Sequence, residues 1–265
     1  MDRGGFMLMN YKINEENKQE KETMYLIIDE KSLDELDVIC EVLWQVANYE
    51  IYYLEDRIHF DYEQYIDFIK QVDKCIVVVD ENFLNSLSLA CHYDFMTAII
   101  QDIDVIAIYK KDQCKKEFQY LLSDTYLSLA RYNIQTDFEL CDKYYRKAKQ
   151  VLLSESLNHY DLKRDERLAH IFYERAKLIQ SKNETSGALI GFLKAAIIYD
   201  KIYKNENELT YCYKQFKCEY EVYQIVKARN EIERTKHYQQ KLKNHALKLM
   251  DQYEDVKQLM EKEML

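Results

Sequence analysis

The heptapeptide SLACHYD, Ser88 to Asp94, brings a cysteine, a histidine and a carboxylate within four positions. It follows KCIVVVDENFLN, Lys74 to Asn85, which reads as a buried strand and a loop. A cysteine beside a histidine raises the chemistry of a nucleophile and its base. Neighbours on a helix diverge by about 100° around the axis, so Cys91 and His92 do not face each other. Catalytic cysteine and histidine normally lie far apart in sequence. Cys91 therefore reads as a core thiol and His92 as a surface side chain. The carboxylate of Asp94 remains, and what it can do depends on the elements that hold it.

Those elements alternate. YLIID (25–29) is a short apolar run, read as a strand. LDELDVICEVLWQVA (33–47) carries apolar residues on one helical face, with Trp44 among them. EIYYL (50–54) is a second strand, YEQYIDFIKQV (62–72) a helix, and CIVVV (75–79) a third strand. That third run is nearly all β-branched, as expected when both faces are covered. A helix over about 90–101 and a strand DVIAIY (104–109) complete the series. Strands alternating with helices predict a parallel sheet covered on both sides, four- or five-stranded, within 24–112.

The order of these elements, and VVVDENFLNSLSLACHYD in particular, resembles a TIR (Toll/interleukin-1 receptor) domain. Such domains carry a pattern like S-x-x-N-[FY]-x-x-S-x-W-C-x-x-E after an apolar strand. Asn82, Phe83, Ser88, Cys91 and Asp94 stand at matching positions, with about two extra residues between Phe83 and Ser88. The departures are specific: Ala90 replaces the tryptophan, Asp94 replaces the glutamate, and the first strand ends LIIDEKS. The loop EDRIHFDYEQ (55–64) lacks the usual glycine or proline. The resemblance covers about a third of the chain and implies a flavodoxin-like parallel sheet.

In enzymatic members of that family the glutamate acts on NAD at the bond between nicotinamide and ribose. Breaking that bond leaves an oxocarbenium-like ribose, and a fixed anion stabilises the charge as it develops. The resemblance thus implies Asp94 as the catalytic residue and NAD as a substrate rather than a bound cofactor. Aspartate is shorter by one methylene, about 1.5 Å of reach. A misplacement near 1 Å can cost on the order of 100-fold in rate. Asp94 is thus either a weakened catalyst, a relic, or an ordinary solvent-facing aspartate. Arg57, Phe60 and Tyr62 fall in the loop that would flank the pocket; Phe60 or Tyr62 could stack on a base or anchor the core. Asp29 and Ser32 end the first strand and could touch a ribose, although Asp29 could equally cap the following helix.

Beyond about Cys114 only helices are expected: 119–132 with 138–153, 165–180 with 185–203, and 208–228 with 232–253. A small-x3-aromatic-x2-Ala pattern recurs as Cys141, Tyr145, Ala148 and Ala188, Phe192, Ala195, with Ala176 twelve residues before Ala188. Thr235, Gln239 and Leu242 break it at the third repetition. This resembles tetratricopeptide packing, where a small residue lets two helices approach. The repeat is 47 residues here, against about 34 in that family. An irregular helical bundle is the alternative. The expected organisation is a flexible leader over 1–23, a TIR-like α/β domain over 24–112 and a TPR-like helical domain over 113–265.

Charge follows the same division. Residues 1–112 carry 24 acidic and 10 basic side chains, whereas 113–265 carry 23 and 27. Such asymmetry suggests two units with different surfaces. No basic stripe argues for nucleic acid. No stretch reaches the roughly 18 apolar residues of a membrane helix, and no secretory signal is legible, so the expectation is a cytoplasmic, soluble chain. Seven cysteines without C-x-x-C spacing argue against a disulfide framework or a zinc site and read as small core residues. Proline is absent and glycine numbers only four, as an AT-rich genome would dictate. Two of those glycines are Gly4 and Gly5, beside Arg3. Arg-Gly-Gly can be encoded by a purine-rich ribosome-binding sequence. The native start is then expected at Met7 or Met9, the alternative being a genuine flexible tip.

Two function classes follow. One is a TIR-type NAD nucleosidase, which in bacteria implies anti-phage defence, with the helices as sensor or assembly platform. The other is a catalytically degenerate TIR-like scaffold or adaptor that binds protein partners or itself through the helical domain. An open, NAD-sized cleft beside Asp94 favours the first; a filled one favours the second.

Overall fold

The computed structural model describes residues 6–8, 22–46, 49–54, 62–85, 89–154 and 159–263. It divides into two compact units, Met1–Phe118 and Gln119–Leu265. The expected boundary at 112/113 thus falls six residues early, because the helix that follows the sheet belongs in part to the first unit.

The first unit is built on a five-stranded sheet. Its strands are β1 (Phe6–Leu8), β2 (Glu22–Ile27), β3 (Tyr49–Leu54), β4 (Lys74–Val79) and β5 (Asp104–Tyr109), in the spatial order β1-β3-β2-β4-β5. The last four are mutually parallel, as the alternation of runs requires. β1 runs antiparallel to β3, with Phe6 opposite Leu54. This corrects the expectation of a flexible leader over 1–23 at two places, since Phe6–Leu8 is a strand and β2 starts at Glu22; the rest of 1–23 lies outside the described residues. A three-residue strand carries no readable periodicity, so its pairing was not legible.

The helices of this unit are α1 (Leu36–Val46), α2 (Tyr62–Ile69), α3 (Glu81–Asn85), α4 (Leu89–Ile100) and the start of α5 (Asp112–Asn133). Alternation along β2 sends Met24, Leu26 and Ile28 to one face, where they pack with Leu36, Cys40 and Leu43 of α1. Tyr25 points to the other face and meets Tyr65 and Phe68 of α2 edge-on. Phe83, Phe95, Tyr109 and Phe118 form a second aromatic group. The helix expected over 33–47 is interrupted at its start: Glu30–Glu35 is a 3-10 turn. The Ser32 amide donates to the Asp29 carbonyl at 2.8 Å, and the Asp29 carboxylate takes the Lys31 amide at 3.1 Å. These local bonds favour the tighter winding.

Among the described residues the second unit is helical throughout, with the rest of α5, then α6 (Phe138–Leu153), α7 (Leu162–Ser181), α8 (Thr185–Glu206), α9 (Leu209–Ala228), α10 (Ile232–Leu249) and α11 (Glu254–Glu263). The separate α11 was not anticipated. Asp137 and Asp161 cap α6 and α7 with their carboxylates. Asn183, Asn207 and Asn230 take positive φ near the ends of α7, α8 and α9, a position glycine usually fills. Ion pairs link alternate helices: Arg167 to Asp124, Lys214 to Glu166, and Lys227 to Glu263. All seven cysteines are buried free thiols, in keeping with their reading as small core residues.

Cys141, Tyr145, Ala148, Ala188, Phe192 and Ala195 are all fully buried. Ala188 packs with Ala176, Ile179, Val222 and Val226. α7 and α8 also approach closely one turn on, where a methyl on Gly191 would meet the Ala176 Cβ at 2.8 Å and the Phe172 carbonyl at 3.2 Å. Gly191→Ala and Ala188→Leu should therefore each lower stability by about 1–3 kcal/mol, from overpacking. Thermal unfolding of the two variants checks this, and an unchanged melting temperature in both would mean the contact is loose.

Candidate functional site at the carboxyl ends of the sheet

In a parallel sheet, ligands bind outside the carboxyl ends of the strands where successive connections depart in opposite directions. Here that place is the crevice between β2 and β4, since β2 leads to β3 on one side and β4 leads to β5 on the other. Charged residues follow the two strands that border it and the next one along: Asp29 after β2, Asp80 after β4 and Lys110 after β5.

Asp80 is the centre of the group. It is 5% exposed. Its carboxylate accepts the Ser32 hydroxyl at 2.5 Å, the Phe83 amide at 2.8 Å and the Lys110 ammonium at 2.9 Å. Asn82 donates its side-chain amide to the Ser32 hydroxyl at 3.0 Å. Lys110 also reaches Glu35 at 2.6 Å. Burial pushes the Asp80 carboxyl up, but Ser32, Phe83 and Lys110 together hold it below its ordinary 3.8. Partial burial pulls the Lys110 ammonium down, and Glu35 and Asp80 hold it above its ordinary value.

Of the residues singled out in the sequence, Ser32 belongs to this group, and Asp29 lies beside it as the cap of the 3-10 turn. Arg57 and Phe60 lie outside the described residues, as do the side chains of Tyr62 and Trp44. Asp80, Lys110 and Glu35 were missed. The available signal was a charge placed directly after an apolar run, as in IVVVD and VIAIYK; the pairing itself is non-local.

Asp94 is placed differently. α4 starts at the carboxyl end of β2, where the Cys91 thiol donates to the Ile28 carbonyl at 3.3 Å. Asp94 follows one turn later, 3% exposed, and its carboxylate accepts the Tyr25 hydroxyl at 2.9 Å. Tyr25 lies in the middle of β2. The Cys75 thiol is pushed up to about 12, first by burial and then by the Asp94 charge. Asp94 thus sits inside the helix-covered face of the sheet. The loop expected opposite it, 55–61, lies outside the described residues. His92 contacts the Phe83 carbonyl at 3.0 Å, and Cys91 bonds elsewhere, so the two neighbours do diverge.

A carboxylate held below its ordinary value stabilises the fold above that value and loses its contribution as pH falls through the lower folded one. Asp80→Asn should cost about 1.5–3 kcal/mol at pH 7, as loss of a charge-assisted network does. The gap to the wild type should narrow as pH approaches and passes 3.8. Urea midpoints of both chains along a descending pH series test this; a gap independent of pH would show that the charge of Asp80 contributes nothing.

No protein-family model matches the chain, and no curated protein matches it closely enough to stand as a relative.

Proposed function

We propose that the chain is a TIR-like assembly or adaptor protein whose α/β unit no longer cleaves NAD and whose helices, stacked as tetratricopeptide-like hairpins, bind protein. The observation that carries this reading is the use made of Asp94. Its carboxylate faces the interior and is bonded to Tyr25, where a catalytic anion would have to line an open cleft beside the ribose. The order of the parallel strands and the Asn82–Phe83 and Cys91–Asp94 spacing support the TIR-like part. Support for the hairpin stack comes from the fully buried small residues at Cys141, Ala188 and Ala195 and from the ion pairs between alternate helices. Ile190 and Ile197, 55% and 67% exposed on α8, offer apolar surface to a protein partner.

One observation favours the enzymatic reading, a TIR-type NAD nucleosidase of anti-phage defence. Ser32, Asp80, Asn82 and Lys110 gather where a nucleotide binds in sheets of this kind. These groups are bonded to one another, and a ligand would have to compete for them.

Purified full-length chain incubated with NAD distinguishes the two. We expect nicotinamide release no faster than in Asp94→Ala, both for the dilute protein and for protein clustered on a multivalent support. We expect Asp94→Glu to add no activity, because a longer carboxylate still faces the interior. Release by the wild type that Asp94→Ala abolishes would overturn the reading.

A further inference from the structure

The geometry points to the outer edge of β5 as the surface through which two copies of this chain join, by antiparallel strand pairing that continues the sheet across a two-fold axis at Ala107. The proposal concerns the sheet edge and holds whichever way the question of NAD is answered.

A sheet edge exposes a row of unpaired amides and carbonyls, and proteins ordinarily blunt it. The two edges of this sheet are treated unequally. On one side β3 is covered by β1, only three residues long and antiparallel. On the other side β5 presents six residues, and among the described residues it pairs with β4 alone. Between Asp104 and Lys110 the edge reads VIAIY, with no proline and no charge to repel a second strand. Ile106 is 42% exposed, and the other four residues of that run are half-buried.

The register follows from one bond. The Lys110 amide donates to the Val79 carbonyl at 3.3 Å, so Lys110 turns its backbone toward β4. Alternation then turns Ile108 and Ile106 the same way, and leaves the amides and carbonyls of Val105, Ala107 and Tyr109 facing outward. Two identical strands related by a two-fold axis must pair antiparallel. Pairing Ala107 with itself sets Val105 against Tyr109 as hydrogen-bonded pairs. It also sets Ile106 against Ile108, and Asp104 against Lys110, as the closer non-hydrogen-bonded pairs. The exposed Ile106 is thereby covered by an apolar neighbour.

Charge complementarity selects a second copy as the occupant. Asp104 stands at one end of the strand and Lys110 and Lys111 at the other. An antiparallel copy brings each acid to a base at both ends of the interface. Lys110 bonds Asp80 and Glu35, and its ammonium has three donors, so one is left for Asp104 of the copy. A single strand pair is small beside the roughly 1,200 Å² of a stable interface, so the dimer should be weak and concentration-dependent.

Sedimentation velocity of the full chain, from about 1 to 200 µM, tests the proposal at dissociation constants in the micromolar range. We expect a reversible shift from one chain mass to two, weakened by salt. Ala107→Pro removes an outward amide and leaves the ladder to β4 intact. It should weaken association at least about tenfold, the equivalent of 1.4 kcal/mol. Ile106→Lys, at an exposed position, should do the same, and Asp104→Lys should set like charges together at both ends. Should Ala107→Pro not fold, Ile106→Lys decides. One chain mass at every concentration overturns the proposal, as does a dimer that survives both Ala107→Pro and Ile106→Lys with unchanged circular dichroism. Neither outcome bears on the NAD assay, which reads Asp94 alone.

Discussion

Three strand ends are held together by one buried carboxylate. Asp80 takes a hydroxyl from the turn after β2, an amide from the start of α3 and an ammonium from the end of β5. Parallel strands have no tight hairpins to fix their ends, so their relative positions depend on crossovers and on contacts of this kind. A charge in this position is stable only while its partners stay in place, because an unpaired buried carboxylate costs several kcal/mol. The same bonds therefore set the 3-10 turn, the start of α3 and the course of the chain out of β5. The place where the fold would receive a ligand is also the place where it is tied.

Asp94 shows how the same residue type serves a different end a short distance away. A carboxylate facing the interior needs a donor, and Tyr25 supplies one from a strand that also anchors two aromatic rings of α2. The Asp94 charge raises the Cys75 thiol further than burial alone, which keeps that cysteine protonated and inert. Cys91, which reads as a core thiol despite the histidine beside it, is buried, donates to the Ile28 carbonyl and sets the start of α4. Reactive residue types at suggestive spacing are here placed by packing.

The legible parts of the fold were those governed by local pattern. The β-branched run of β4 announces a strand covered on both faces, and α6 spans the residues its periodicity marks, from Phe138 to Leu153. What was not legible depends on distant partners. β1 is three residues whose meaning comes from pairing with β3, and Lys110 gains its role from Asp80 and Glu35. The 3-10 turn falls between these cases: Asp29 and Ser32 announce a local competitor to the helix, yet their number and spacing do not say which winding wins. The candidate site was half visible for the same reason, with Ser32 readable beside its strand and Asp80 readable only once β4 lies next to β2.

Composition shapes what this chain can do at its boundaries. With no proline and only four glycines, it is short of the two residues that most often end helices and protect sheet edges. The helices found another solution, since Asn183, Asn207 and Asn230 accept the left-handed conformation that glycine would take, at modest strain. A sheet edge has fewer substitutes. Lysine, a bulge or a short covering strand can replace proline there, and β3 uses the last of these in β1. β5 carries its charges only at the two ends, where they align a partner instead of repelling one. An edge that pairs on one side alone among the described residues, with opposite charges at its two ends, is a surface shaped for its own copy.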